Sequence, residues 1–475
     1  MRRIGILCLV TGALMLGGCS LGGQERGDTV AGSDIIIEKH TEEDIEEGPT
    51  APSLSPEEAT IEPLQLPELG TETNTVNPEI VIATDIHYLA KELTDFGSAF
   101  QEMDRNEDGK MASYVWEITD AFLNQVIDRR PQVLILSGDL TLNGERASQE
   151  ALAQQLKRVE DAGIPVVVIP GNHDINNAKA CSFIGEDRVP AEPTSPEQFA
   201  RIYEEFGYGE ALSRDPASLS YTYQLTDGTW LLMLDSCQYE DDALVGGMIR
   251  GETYQWIDEV MEEAWNQERK VIAVSHHNLL DESRIYEEDC TIEHSEELER
   301  KLDEWGIGLF LSGHLHVQHY KTSQRYAIDE IVTSALCVSP CQYGVLQFFG
   351  PENYYYATEV TDVTDWADQK SNPDRNLQDF GQYADAFLQE IFYNKARHEL
   401  EGKGLSPDEI RSMAEIYAML NVRAVGGRAY EIKDYVMATP YYELWQQYDR
   451  TSILCMYMNE ILEDAVVDYN EKSRP

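Results

Sequence analysis

The sequence predicts an α/β layered body followed by a helical C-terminal region. Three observations carry this reading. Six short apolar runs, Glu79 to Ala83, Val133 to Leu136, Val166 to Ile169, Trp230 to Leu234, Val271 to Val274 and Leu309 to Leu311, have the length and β-branched content of buried strands. Helical patterns lie between several of them, so strand and helix alternate as in a layered α/β fold. After about residue 362 the pattern changes to long helices without strands.

The helices follow from apolar spacing and end signals. Residues 113–128 place Val115, Ile118, Ala121, Phe122 and Val126 on one face, and residues 148–162 do the same with Leu152, Leu156 and Val159. Ser195 with Pro196 and Gln198 forms a capping box that opens a further helix. In the C-terminal region residues 376–400 are helical, and Ser406-Pro407-Asp408-Glu409 opens another helix. Tyr441, Tyr442, Trp445 and Tyr448 fall at helical spacing, which makes them core or interface.

The N-terminus has a different character. Met1-Arg2-Arg3 is basic, residues 4–16 are mostly apolar, and Leu16-Gly17-Gly18 precede Cys19. This pattern resembles a bacterial lipoprotein signal, which implies cleavage before Cys19 and acylation of its thiol. Between Asp34 and Glu72 stand twelve acidic residues, one lysine and five prolines, the composition of an extended, unburied tether. The expected organisation is a signal peptide over residues 1–18, a tether over 19–75, a catalytic body over 76–362 and a helical domain over 363–475.

Across all 475 residues, 36 Lys and Arg against 86 Asp and Glu give a net charge of −50. Such a balance repels phosphate backbones and excludes a general nucleic-acid binder. Phosphate chemistry on this chain therefore needs a local cation. The body holds Cys181, Cys237, Cys290, Cys337, Cys341 and Cys455. In an exported chain these are either disulfide partners, Cys337 with Cys341 being close enough in sequence to pair, or buried thiols.

What stands at the strand ends points to that cation. The first run ends in Asp85-Ile86-His87, the second in Gly138-Asp139, and the third in Gly171-Asn172-His173-Asp174. The fifth ends in His276-His277 and the sixth in Gly313-His314-Leu315-His316. Ligands of α/β sheets gather beyond the carboxyl ends of strands, so these residues are expected to converge. Period-two alternation would turn Asp85 and His87 to one side. Gly138 would let the backbone pass close, leaving Asp139 to bridge two cations. Asp, Asn and His donors without cysteine suit iron, manganese, zinc or cobalt. Two such ions roughly 3.5–4 Å apart would activate water and clamp a phosphoryl group.

These ordered motifs resemble the calcineurin-like metallophosphoesterase superfamily over about residues 79–346. They resemble, in particular, its membrane-anchored bacterial lipoproteins with a cyclic-nucleotide phosphodiesterase-like catalytic domain. The resemblance implies a four-layer α/β/β/α sandwich and two divalent or trivalent metal ions such as manganese, iron or zinc. It implies that Asp85, His87, Asp139 and His316 hold one ion, and that Asp139, Asn172, His276 and His314 hold the other. His173 would be the catalytic group near the leaving oxygen. Either His276 or His277 could be the strand-end ligand; His276, which leaves the strand first, is chosen, with His277 in support. Asn143 is either a supporting residue or part of a turn with Gly144, and Asp174 is expected to orient His173. Asp235 is read as structural. His319 is a weak candidate for a supporting role. Asp104 to Lys110 imitates half a calcium loop but has Val115 at the twelfth position, which favours an acidic turn.

The resulting expectation is an extracytoplasmic, membrane-anchored enzyme whose metal-bridging hydroxide hydrolyses a small phosphate ester. A phosphodiester such as a cyclic nucleotide is preferred, and no nucleic-acid polymer is expected. A phosphomonoesterase acting on a nucleotide or sugar phosphate, or a surface lipoprotein that only binds, are the alternatives.

Overall fold

Strands form where the apolar runs lie because both of their faces find cover. The computed structural model describes residues 77–474, apart from 107, 241, 287–288, 351–352 and 449. The predicted signal segment, Cys19 and nearly all of the tether lie outside the described residues.

Two sheets make the body. In the six-stranded sheet, Glu79–Ala83 pairs parallel with Val133–Ser137 and antiparallel with Gln342–Gly350. Val166–Ile169 continues one side, and Asn353–Val360 and Glu471–Arg474 complete the other. The seven-stranded sheet is built around the parallel strands Thr229–Leu234, Lys270–Ser275, Leu309–Ser312 and Asp329–Val332.

Side-chain alternation shows how the layers stack. Leu231, Met233, Ile272, Val274, Leu309 and Leu311 share one core with Val81, Leu134, Val167 and Leu346 of the other sheet. Their neighbours Leu232, Leu234, Ala273 and Phe310 face the opposite way, against helices Gly251–Asn266 and Ser295–Glu304. Helices Val115–Arg129 and Arg146–Asp161 contribute Ile118, Phe122, Leu152 and Leu156 to the core of the first sheet. The result is the four-layer α/β/β/α sandwich, with strand carboxyl ends gathered on one edge.

The C-terminal helices form their own apolar core and lean on the body. Leu388, Phe392, Ala396 and Leu400, four apart on Phe380–Leu400, pack with Met413, Tyr417 and Leu420 of Pro407–Val425. Ala335, Cys337 and Val338, which follow the last parallel strand of the body, join the same cluster. Capping boxes are present at Ser195 and Ser406. Trp445 is buried, donates its indole N–H to the Met413 carbonyl at 3.0 Å and packs against Tyr417, while Tyr441, Tyr442 and Tyr448 line the rim of that core.

Two expectations are corrected, and one open alternative is decided. The region after residue 362 does contain a strand, because the chain end returns as Glu471–Arg474 and pairs along Tyr354 to Ala357. Residues 376–400 are broken at Asp379, whose extended φ separates a short turn of helix from the long one. Cys337 and Cys341 remain buried thiols rather than a disulfide.

Candidate metal centre

The strand-end motifs meet, and left-handed backbone is what brings them together. Asp85, His87, Asp139, His314 and His316 have φ of 54°, 48°, 47°, 70° and 59°. Each such residue costs roughly 1–2 kcal/mol relative to the right-handed region, so the surroundings must hold it there. Backbone bonds do so. Asp85 N–H donates to the Gly138 carbonyl, His87 N–H to that of Asp139, and Tyr88 N–H to that of Leu140. The period-two explanation for Asp85 and His87 is therefore corrected: the strand ends at Ala83, and a left-handed residue on each side of Ile86 turns both side chains inward.

Glycines permit the close approach. A Cβ on Gly138, itself at φ 97°, would lie 2.6 Å from His276 Nδ1, and one on Gly171 would lie 2.1 Å from the Asp139 amide nitrogen.

One group of donors comprises Asp85, His87, Asp139 and His316, all buried. His87 Nε2 and His316 Nε2 are 3.2 Å apart, and Asp85 Oδ1 is 3.2 Å from His316 Nε2 and 3.7 Å from His87 Nε2. Asp139 Oδ2 lies 3.7 Å from His87 Nε2. Donors about 2.0–2.1 Å from an ion in tetrahedral array are spaced about 3.3–3.4 Å apart, so this group has the spacing of a metal cage. Asp85 Oδ2 accepts from Thr84 Oγ1 and His314 N–H, which leaves Oδ1 buried and without a hydrogen-bond donor.

A second group stands on the other side of Asp139. Its Oδ1 is 3.5 Å from His276 Nε2, which lies 3.1 Å from Asn172 Oδ1. His276 Nδ1 donates to the Ser137 carbonyl at 2.9 Å, so its Nε2 presents a lone pair to two oxygen acceptors. Such a convergence of lone pairs needs a proton or a cation. Burial opposes the charged imidazole, but Asp139 and Asp85 outweigh it and raise His276 to about 9. His314 Nε2 donates to the Asp289 carbonyl at 2.8 Å, leaving Nδ1 on the other edge of its ring.

Electrostatics follow from this crowding. Burial works against ionisation of Asp139, but His276 and His173 hold its carboxyl well below the usual range. Burial likewise opposes Asp85, and His316 lowers it. These buried carboxylates and imidazoles are able to bind a metal centre.

Around the donors, the structure divides the remaining residues. His277 stands with His276 and His314, a ring nitrogen of each lying within 4.8 Å of the others, but its own nitrogens are engaged, with Nδ1 accepting from Ser236 Oγ at 2.8 Å and Nε2 donating to the Val245 carbonyl at 2.9 Å. Its ring packs 4.4 Å from that of His314. His173 is anchored by Nδ1 donating to the Leu142 carbonyl at 2.6 Å, and its Nε2 is 3.9 Å from Asp139 Oδ2. Burial holds its imidazole down to about 4. Asp174 does not orient His173, contrary to expectation. Its carboxylate accepts from the backbone N–H groups of Gly171, Leu140 and Thr141 and thereby ties the Asp139 loop to the Asn172 loop.

Asn143 is half-buried, and the Asn143-Gly144 pair makes a bend in which Gly144 stands at φ 69°, where an added Cβ would lie 2.7 Å from the Asp174 carbonyl oxygen. Asp235 is structural, accepting from Leu219 N–H and the Tyr239 hydroxyl. His319 pairs with Glu282 and stacks on Tyr469 instead of supporting the donors. Asp104 gives its carboxylate to Ser113, as an acidic turn would.

Lys110 escaped sequence reasoning. It is 1% exposed, and its charge adds to burial in lowering both His87 and His173. A lone lysine after an acidic turn carries no motif that could have singled it out.

Comparisons with known proteins find phosphoesterases. Residues 78–318 match the model of the calcineurin-like phosphoesterase family, and residues 362–468 match a model described as the C-terminal domain of cyclic nucleotide phosphodiesterase. The serine/threonine-protein phosphatase CPPED1 of Homo sapiens is 26% identical over 227 residues, covering 46% of this chain and 62% of that protein. A probable cyclic nucleotide phosphodiesterase of Synechococcus is 28% identical over 143 residues, covering 30% of this chain and 42% of that protein. Among solved structures, a dimetal phosphatase from Danio rerio is similar at a TM-score of 0.43 and 12% identity, over 60% of this chain and 97% of that one.

Proposed function

Because the chain belongs to the calcineurin-like phosphoesterase family, we propose that it is a dinuclear metal-dependent hydrolase of small phosphodiesters, cyclic nucleotides in particular. The observation that carries the reading is Asp139: one buried carboxylate whose two oxygens face two different groups of donors. In this reading Asp85, His87, Asp139 and His316 hold one ion, and Asp139, Asn172, His276 and His314 hold the other. Bound there, iron, manganese or zinc would supply the positive charge and the activated water that ester hydrolysis needs.

The chain's own residues do the rest. Asp174 keeps the Asp139 and Asn172 loops in register. Lys110 places a buried positive charge near His87 and His173, which favours an anionic ester in a protein of net charge −50. His173, fixed through Nδ1, keeps Nε2 facing Asp139; burial leaves that nitrogen with a lone pair, so it serves the leaving oxygen as an acid only once the anionic ester has drawn a proton onto it. The preference for diesters rests on the C-terminal match over residues 362–468 and on the Synechococcus relative. A monoester reading draws on the phosphatase relatives, of which the chain spans 62%.

The Leu16-Gly17-Gly18-Cys19 segment and the acidic tether support a lipid-anchored, extracytoplasmic placement. On this reading Cys19→Ser leaves the protein without lipid, read by metabolic labelling with a fatty-acid probe; full labelling of the variant would refute the anchor.

Asp139→Asn is expected to weaken both ions and Asn172→Ala chiefly one, measured as metal content per chain. Loss of the same single ion from both variants would remove Asp139 from the bridge. For His173, the leaving group decides. His173→Ala should lose about 10²- to 10⁴-fold on an alkyl phosphodiester and much less on a nitrophenyl ester, with metal content retained. Equal losses on both esters would mean that His173 positions phosphate and does not donate a proton.

A further inference from the structure

Behind the Gly313–His316 turn lies a cavity of about 100 Å³, between the body and the C-terminal helices. Its floor on the body side is Leu315, whose neighbours His314 and His316 belong to the metal-donor groups. One turn of backbone thus separates the two sites.

The walls are aromatic and aliphatic. Tyr286 meets Tyr457 edge to face at 5.1 Å, and the His319 ring lies 4.1 Å from that of Tyr469. Three carboxyl groups, Glu282, Glu460 and Asp464, also line the space. Glu460 is satisfied by Ser283 Oγ and Arg284 N–H, each at 2.6 Å. Glu282 is not. Its side chain is 4% exposed, Oε2 pairs with His319, and Oε1 is buried with no hydrogen-bond partner among the described residues. The Tyr286 hydroxyl is likewise buried without one. Leaving such atoms unsatisfied is costly, and a pair of them on one cavity points to a missing occupant.

The lining selects its chemistry. Flat aromatic walls favour a planar ring. Acceptor oxygens from carboxylates call for N–H donors on the ring edge, and their negative charge disfavours phosphate or any other anion. We propose that this cavity is a binding site for a planar nitrogen heterocycle or arylamidine that presents N–H groups, neutral or cationic and free of phosphate, with Glu282 Oε1 as its principal acceptor. The site is distinct from the metal centre and does not depend on the hydrolase reading.

The test is calorimetric titration of the full-length chain with benzamidine, adenine and benzoate, in the presence of a chelator so that the metal centre contributes nothing. Benzamidine and adenine should bind and benzoate should not. Glu282→Gln, which keeps an oxygen acceptor but removes the charge, should weaken benzamidine at least tenfold and adenine less. Ala465→Phe, placed on the cavity wall, should abolish both; Tyr286→Phe, which keeps the ring, should weaken adenine and serves as the check if Ala465→Phe fails to fold. Benzoate binding as well as benzamidine, benzamidine binding unchanged in Glu282→Gln, or absence of saturable binding up to millimolar probe would overturn the proposal and leave the cavity to water.

Discussion

A single buried carboxylate, Asp139, has its two oxygens committed to different sides, and much of the local structure serves to keep it so. Its backbone is left-handed, its strand ends in a glycine that no other residue could replace without striking His276, and its Oδ1 accepts the His173 amide at 2.8 Å. Asp174, from the neighbouring loop, fastens the next two amides after Asp139. A carboxylate placed like this, 2% exposed among imidazoles, is stable only as an anion facing positive charge.

The same constraint explains the layout of the sandwich. Parallel strands buried on both faces deliver their carboxyl ends to one edge, so donors from five segments arrive without a long loop having to position any of them. The left-handed residues are then tolerated because each lies in a short turn pinned by backbone bonds to its neighbour. The C-terminal helices add a second support. They pack against Ala335 to Val338, and the Gln318 amide N–H, two residues after His316, donates to the Val425 carbonyl at 2.9 Å.

Much of this was legible before any coordinates. The six apolar runs are strands within a residue or so at each end, since a continuous β-branched stretch bounded by Gly, Asp or Asn has few other uses. The capping boxes at Ser195 and Ser406 were readable because their chemistry is local. What escaped was set by tertiary contact. Asp174 looked like a partner for its neighbour His173, yet its oxygens accept from the amides of Leu140 and Thr141 at another strand end and of Gly171 in its own turn. The Glu471–Arg474 strand has no apolar alternation, because it lies at an edge and is stabilised by pairing. Lys110 and the cavity behind Leu315 depend on which segments fold together, and no spacing rule reports that.

The central claim, two ions shared by Asp139, is tested most directly by anomalous diffraction from crystals of the metal-replete chain. The account predicts two anomalous peaks, roughly 3.5–4 Å apart, one among Asp85, His87 and His316, the other beside Asn172 and His276, with Asp139 between them. A single fully occupied peak confined to the first group, with His276 Nε2 bonded only to Asn172 and Asp139, would contradict it.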